Sequence, residues 1–379
     1  MQSLRSYGVV PTLPSPYIEF ANSLKIEMRG VNANYEAFYG SALQDKDSVI
    51  ALHQTLANSR STTHYQLSEL LKKEYSDIDT VNNFEEMDTL IGRGDVHIVA
   101  RYCLAQARGF DALGDYPAAT DWSLLAFSYS DQVSHNTTLE RSLCGIKSQY
   151  IARQALWQIM PYLDNAETMK VKNNICTIIS ERPGYIDVFM EERRARQRSL
   201  ISVFKKPGWR KEWSKVKGIG WRIYTIHKGN AIKQIDNILV EAIAAPSRDY
   251  RSRVILADSH VPPGWFYAYN WPPVSPFYNN SAKCDAANSL LLTAYSLRMY
   301  YQSEGKYPSS LNSLCPEILD KLPVDPYGSG STLGYSSLDS EHFKLWSVGK
   351  NGVVDTATSS NANITSDDII ITESTTAGP

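Results

Sequence analysis

The sequence predicts an α+β protein, an N-terminal all-helical domain followed by one long helix with a small antiparallel sheet. Three observations carry this expectation. Apolar residues recur at three- and four-residue steps from about residue 32 to 245, the period of helices that bury one face. Cys284–Tyr301 repeats the pattern through Ala287, Leu290, Leu291, Ala294, Leu297 and Tyr301. After Gly305 the helical period gives way to short strand-like runs around Leu333–Ser336 and Phe343–Val348, and a polar loop then closes on Asp367–Thr372.

Taken in order, residues 1–16 hold Pro11, Pro14 and Pro16 and form an extended lead-in. The helical domain spans 17–260. Helical spacing is visible at 32–39 and 45–56, then again at 67–75 and 80–90 after the loop Ser59–His64. The clearest pair lies at 96–130. Its first helix carries Val99, Tyr102, Cys103, Ala105, Ala107 and Phe110, and its second Ala118, Trp122, Leu125 and Phe127. Between them, Gly114-Asp-Tyr-Pro117 places proline in a first turn, where its missing N–H is harmless. This hinge resembles that of a tetratricopeptide repeat. No second copy stands 34 residues away, so the resemblance implies an antiparallel helix pair and nothing further. Leu139–Ile159 and Ala166–Ser180 continue as helices, Arg182-Pro-Gly184 interrupts, and Tyr185–Phe204 resumes.

Residues 261–280 form a connector rich in proline and aromatic rings, and its prolines forbid a helix. Its rings pack across a domain surface or present an exposed recognition strip. The last unit, 281–379, opens with the amphipathic helix, which Gly305 ends. A short helix with Leu311, Leu314, Ile318 and Leu319 follows, then the turn Leu322-Pro-Val-Asp-Pro-Tyr-Gly328. Gly349-Lys-Asn-Gly352 reads as a hairpin turn.

The helix ending Gly305-Lys-Tyr-Pro308, the turn Leu322–Gly328, Leu345-Trp-Ser-Val-Gly349 with Asn351-Gly352, and the late Asp367-Asp368-Ile369 stand in a distinctive order. In this order the tail resembles the globular domain of the type II secretion major pseudopilin (protein G), over roughly the last quarter of the chain. The whole chain resembles bacterial envelope proteins that carry a helical domain before such a unit. The resemblance implies a calcium site in the loop after the last hairpin, held by the Val348 carbonyl, Asn351, Asp355, Asp367 and Asp368. Asn351 stands where the family has a carboxylate, which lowers the expected affinity. The plainer reading is a solvated Ser/Asn/Thr loop whose aspartates cap strands. Pseudopilins also carry a membrane-spanning half on the helix that leads into this unit. Here Tyr267–Asn280 occupies that position and cannot span, so the tail does not polymerise in the usual way. The resemblance places the chain outside the cytoplasm, anchored by a segment it does not itself contain.

With 43% apolar and 21% charged residues over 379 positions, the chain reads as an ordinary globular protein of two domains. A net charge of −2 exerts no global pull on nucleic acid or anionic lipid. The five cysteines are scattered without a CxxC, so they read as buried free thiols. No run of eighteen apolar residues and no signal-peptide core occur.

One local charge imbalance stands out. Arg193, Arg194, Arg196, Arg198, Lys205, Lys206, Arg210, Lys211, Lys215 and Lys217 meet only Glu212 between 193 and 217, with Trp209, Trp213 and Trp221 interleaved or adjacent. Such a mixture suits an anionic membrane surface or single-stranded nucleic acid, lipid being preferred in an envelope protein. The plainer reading is a solvated helix face with core tryptophans, its Glu191 and Glu192 pairing with arginines along the helix. The seven histidines form no HExxH, and GxSxG, P-loop and GxGxxG patterns are missing. His97, Asp111 and Asp115 read as surface or capping residues.

The expected function is therefore a non-enzymatic, extracytoplasmic structural or interaction protein of the bacterial envelope. Its helical domain would bind protein partners, pseudopilus or envelope components among them. The alternatives are an envelope hydrolase with a cleft between the two domains and a basic-patch binder of nucleic acid or lipid surfaces.

Overall fold

A computed structural model describes residues 93–135, 137–182, 184–205, 233–244, 250, 252–254, 272–328, 330–352 and 369–374. The lead-in 1–16, the helices read between 32 and 90, and most of the connector lie outside them. Among the described residues the chain is mostly helical with one small antiparallel sheet, the α+β class the sequence predicts. Helices α1 (Arg93–Leu113), α2 (Tyr116–Ser134), α3 (Leu139–Ile159), α4 (Asn165–Glu181) and α5 (Ile186–Lys205) come first. A helical stretch at 233–243 and the 31-residue α6 (Val274–Glu304) follow. Strands β1 (Gly334–Ser337), β2 (His342–Ser347) and β3 (Ile369–Ser374) pair antiparallel in the order β1-β2-β3.

Local chemistry sets the helix ends. Gly114, at φ +80°, reverses the chain, and Asp115 accepts the Ala118 N–H at 3.2 Å to cap α2. The α2–α3 contact is close because Gly145 lacks a side chain. A Cβ there would lie 2.7 Å from the Ser134 nitrogen and 2.8 Å from the Ser130 carbonyl oxygen. Helix α3 has an uncommon cap. The Thr138 side chain makes no capping bond, and the Leu139 N–H donates instead to Glu192 of α5 at 3.0 Å. The buried carboxylate thus sits at the positive end of a helix dipole.

Helix α6 departs from expectation twice. It begins at Val274, so residues 274–280 are helical despite the prolines. Pro276 lies in the first turn, where no N–H has an intrahelical acceptor to lose. Every residue from Leu290 to Leu297 is buried, where the spacing predicts one apolar face. The reason is packing on two sides. Helices α3 and α4 cover one side, while β2, β3 and the 3-10 turn Leu311–Leu314 cover the other. One core therefore joins Phe127, Leu156 and Ile175 through Leu290, Leu291 and Leu297 to Leu314, Phe343 and Leu345. A second gathers Leu139, Phe189, Ile238 and Phe277 at the start of α6. Gly305, at φ +67°, ends the helix as expected.

In β2, Phe343, Leu345 and Ser347 are buried while His342, Lys344 and Trp346 alternate with them, half-buried. The turn before β1 is tied to this strand by the buried Asp325. Its carboxylate accepts from the Tyr327 N–H (3.0 Å), Ser347 Oγ (2.8 Å) and the Val348 N–H (2.9 Å). Gly349–Gly352 does form a turn, with the Gly352 N–H donating to the Gly349 carbonyl at 3.1 Å. It is not the expected tight hairpin, because β2 ends at Ser347 and its partner β3 starts only at Ile369. All five cysteines are free, but Cys176 is exposed on α4, against the expectation of burial. Among the described residues no helix is long and apolar enough to cross a membrane.

Candidate functional site

One side of α6 is polar, and each polar residue on it finds a partner in the helices it faces. Cys284, Asn288, Tyr295, Arg298 and Gln302 recur at steps of four, seven, three and four, a single stripe along the helix. Towards the end of α6, Tyr295 Oη donates to the Leu156 carbonyl at 2.7 Å. Arg298 donates to Pro161 O at 2.9 Å, and Gln302 to Leu163 O at 2.8 Å. These acceptors lie at the C-terminal end of α3 and just beyond it, where carbonyls lack helical donors.

Nearer the start of α6 the stripe meets a buried cluster. Arg153 of α3 donates to Asn288 Oδ1 at 2.8 Å and to Gln149 Oε1 at 3.2 Å, and lies 3.2 Å from Cys284 Sγ. Gln149 in turn donates to Asp131 Oδ1 of α2 at 2.9 Å. Arg182, at the end of α4, reaches that oxygen through Nε at 3.1 Å and Nη2 at 2.9 Å. Its Nη1 donates to Asp285 of α6, whose Oδ1 also accepts from Tyr185 Oη at 3.0 Å. Arg182 thus stands between two carboxylates on two helices.

The electrostatics follow from these contacts. Burial works against the Arg182 charge, but Tyr185, Asp285 and Asp131 hold its pKa well above the ordinary value. Burial pushes the Tyr185 hydroxyl well up. It also raises the Cys284 thiol, against the opposing pull of Arg153 and Arg182, so this sulfur stays protonated at neutral pH. Two arginines and two aspartates balance, with thiol, phenol and amides as neutral connectors. Chemically the cluster is a charge-compensated lock among α2, α3, α4 and α6.

The residues singled out from sequence are distributed differently. Arg193 forks onto Asp236 through Nε (2.6 Å) and Nη2 (3.0 Å). Arg194 pairs with Glu191, and Arg196 with Glu192, as helix spacing predicts. Each described arginine of the basic stretch is therefore matched by a carboxylate. The side chains of Arg198 and Lys205, and residues Lys206, Trp209, Arg210, Lys211 and Trp213, lie outside the described residues. Of the expected calcium ligands, Val348 is held by Asp325 through its N–H, and Asn351 is half-buried in the following turn. Asp355, Asp367 and Asp368 lie outside. Among the described residues no group of three His, Cys, Asp or Glu is placed to hold a metal. Asp325 stands beside Val348, but both its oxygens are engaged by protein donors.

Sequence reasoning missed the buried cluster. A signal was present in α6, where Asn288, Arg298 and Gln302 recur at helical spacing. In the sequence Arg182 stands only as part of the break Arg182-Pro-Gly184. Comparison of the chain with models of protein families, with curated proteins and with solved structures yields no match.

Proposed function

We propose that the chain is a non-enzymatic, extracytoplasmic interaction protein of the bacterial envelope, its pseudopilin-like tail serving to mount a tetratricopeptide-like helical domain. The observation that carries this reading is the two-sided burial of α6. The helix that would lead into a membrane in a pseudopilin here starts between Val188, Phe189 and Ile238 and is bonded along its length to α3. Such a helix serves as the spine of a scaffold. The resemblance adds calcium at Val348, Asn351, Asp355, Asp367 and Asp368 to pin the last loop. It also leaves the basic stretch after Arg196 to meet anionic lipid.

Two measurements test the proposal. Protease digestion of intact spheroplasts should degrade the chain, and protection until lysis overturns the location. A photocrosslinking residue at the exposed Tyr150 or Tyr162 should give one discrete adduct with an envelope protein. No adduct from either position removes the interaction role.

An envelope hydrolase is the second reading, favoured by Asp131 and Asp285 converging on Arg182. Asp131 is 1% exposed, so substrate would reach only Asp285. Asp285→Asn abolishing a hydrolytic activity without lowering stability would decide for the enzyme.

A further inference from the structure

His135 sits at the edge of the Arg182 cluster, in the turn between α2 and α3, and is 3% exposed. Its ring stacks on Tyr185 with centroids 5.5 Å apart. Nδ1 lies 2.8 Å from the Asp131 carbonyl oxygen. A carbonyl only accepts, so Nδ1 carries the hydrogen and the ring is neutral with Nε2 as its bare nitrogen. Nε2 is buried and has no hydrogen-bond partner among the described residues. Any added proton must go there, creating a buried cationic N–H with no acceptor among the described residues.

The charged and titratable groups around this ring come from each packed element. From α2, Asp131 Oδ2 stands 3.8 Å from Nδ1 and has no hydrogen-bond partner among the described residues. Arg182 and Tyr185 approach from the α4–α5 turn, and Asp285 from α6. Arg153 of α3 connects through Gln149 to Asp131. Arg182 already engages both carboxylates, so a third cation enters a cluster whose charges are balanced.

We propose that His135 is an acid-sensitive catch on the docking of α6. With the ring neutral, Tyr185 and Arg182 hold Asp285 and α6 stays on the bundle. Protonation at Nε2 draws Asp131 toward the imidazolium and away from Arg182, and the new N–H demands water. The Tyr185 stack then opens and the Asp285 end of α6 loosens. Burial lowers the His135 pKa, in keeping with this arrangement. The unfolded ring titrates near about 6.5. The stability contributed by the neutral ring is therefore complete above that value and is lost as pH falls toward the depressed native one.

The test uses the full chain. Hydrogen exchange of peptides from the 284–297 segment of α6 is followed between about pH 7.5 and pH 5, corrected for intrinsic rates, with α1 as internal reference. Protection of α6 should fall by about tenfold or more relative to α1. In His135→Gln that fall should shrink to less than about twofold. An equal loss in both proteins, or parallel loss in α1, overturns the proposal. Should the variant not fold, imidazole C2 exchange in the wild type still decides. A His135 midpoint below about 6.5 sustains the catch, and one at or above it removes the catch.

Discussion

Helix α6 meets the rest of the molecule through two unlike interfaces. Toward α3 and α4 it is stitched by hydrogen bonds from Asn288, Tyr295, Arg298 and Gln302, with Arg153 buried and Arg182 largely buried beneath. Toward the sheet it is dry. There Leu314, Phe343 and Leu345 are fully buried, and Tyr307 meets Phe343 edge-on at 4.8 Å. A dry interface tolerates small slips at the cost of packing, whereas a stitched one leaves charges without partners if its register is lost. Register along α6 is therefore set from the bundle side, and much of the cohesion comes from the sheet side.

The largest break in this comparison is to remove one side altogether. Residues 281–379 expressed alone lack α3 and α4, exposing Leu291 and Tyr295. They should show no cooperative thermal transition, although the sequence leads one to expect an independent unit. A sharp transition would mean that the sheet suffices.

Next comes Arg182→Met, which leaves Asp131 buried without its cation. It should cost about 3–5 kcal/mol in urea unfolding. Adding Asp131→Asn should restore part of that loss, since the two changes share one contact. Simple additivity would show that the pair does not couple.

On the dry side, Leu345→Ala should cost about 3 kcal/mol through lost burial and a cavity, with no dependence on pH between 5 and 8. A pH-dependent cost would blur the contrast between the interfaces. The smallest effect is expected for Tyr295→Phe, which removes the bond to the Leu156 carbonyl. About 1 kcal/mol is expected by the same measurement. A value near that for Arg182→Met would place the register at the far end of α6.

Much of this was legible in local signals. Leu139–Ile159 was read with the bounds the structure has, and the Asp115 cap and the Gly305 stop were readable too. Strand β2 was found one residue out of place. The start of α6 was misread because proline is disfavoured inside a helix yet harmless in its first turn, and the spacing alone does not say which turn it occupies.

By itself the sequence determined helices with their caps and stops, two of the three short strands and hence the α+β class. Those features depend on residues a few positions apart, so periodicity and turn chemistry reveal them. Only the tertiary structure decided that α6 is covered on both sides, that Glu192 caps α3 from 53 residues away, and that Arg182 joins Asp131 to Asp285. A buried charge is stable only beside its partner, and Arg153 and Asn288 lie 135 residues apart in the chain. No local pattern marks such a pair, because it is the fold that brings its two halves within reach.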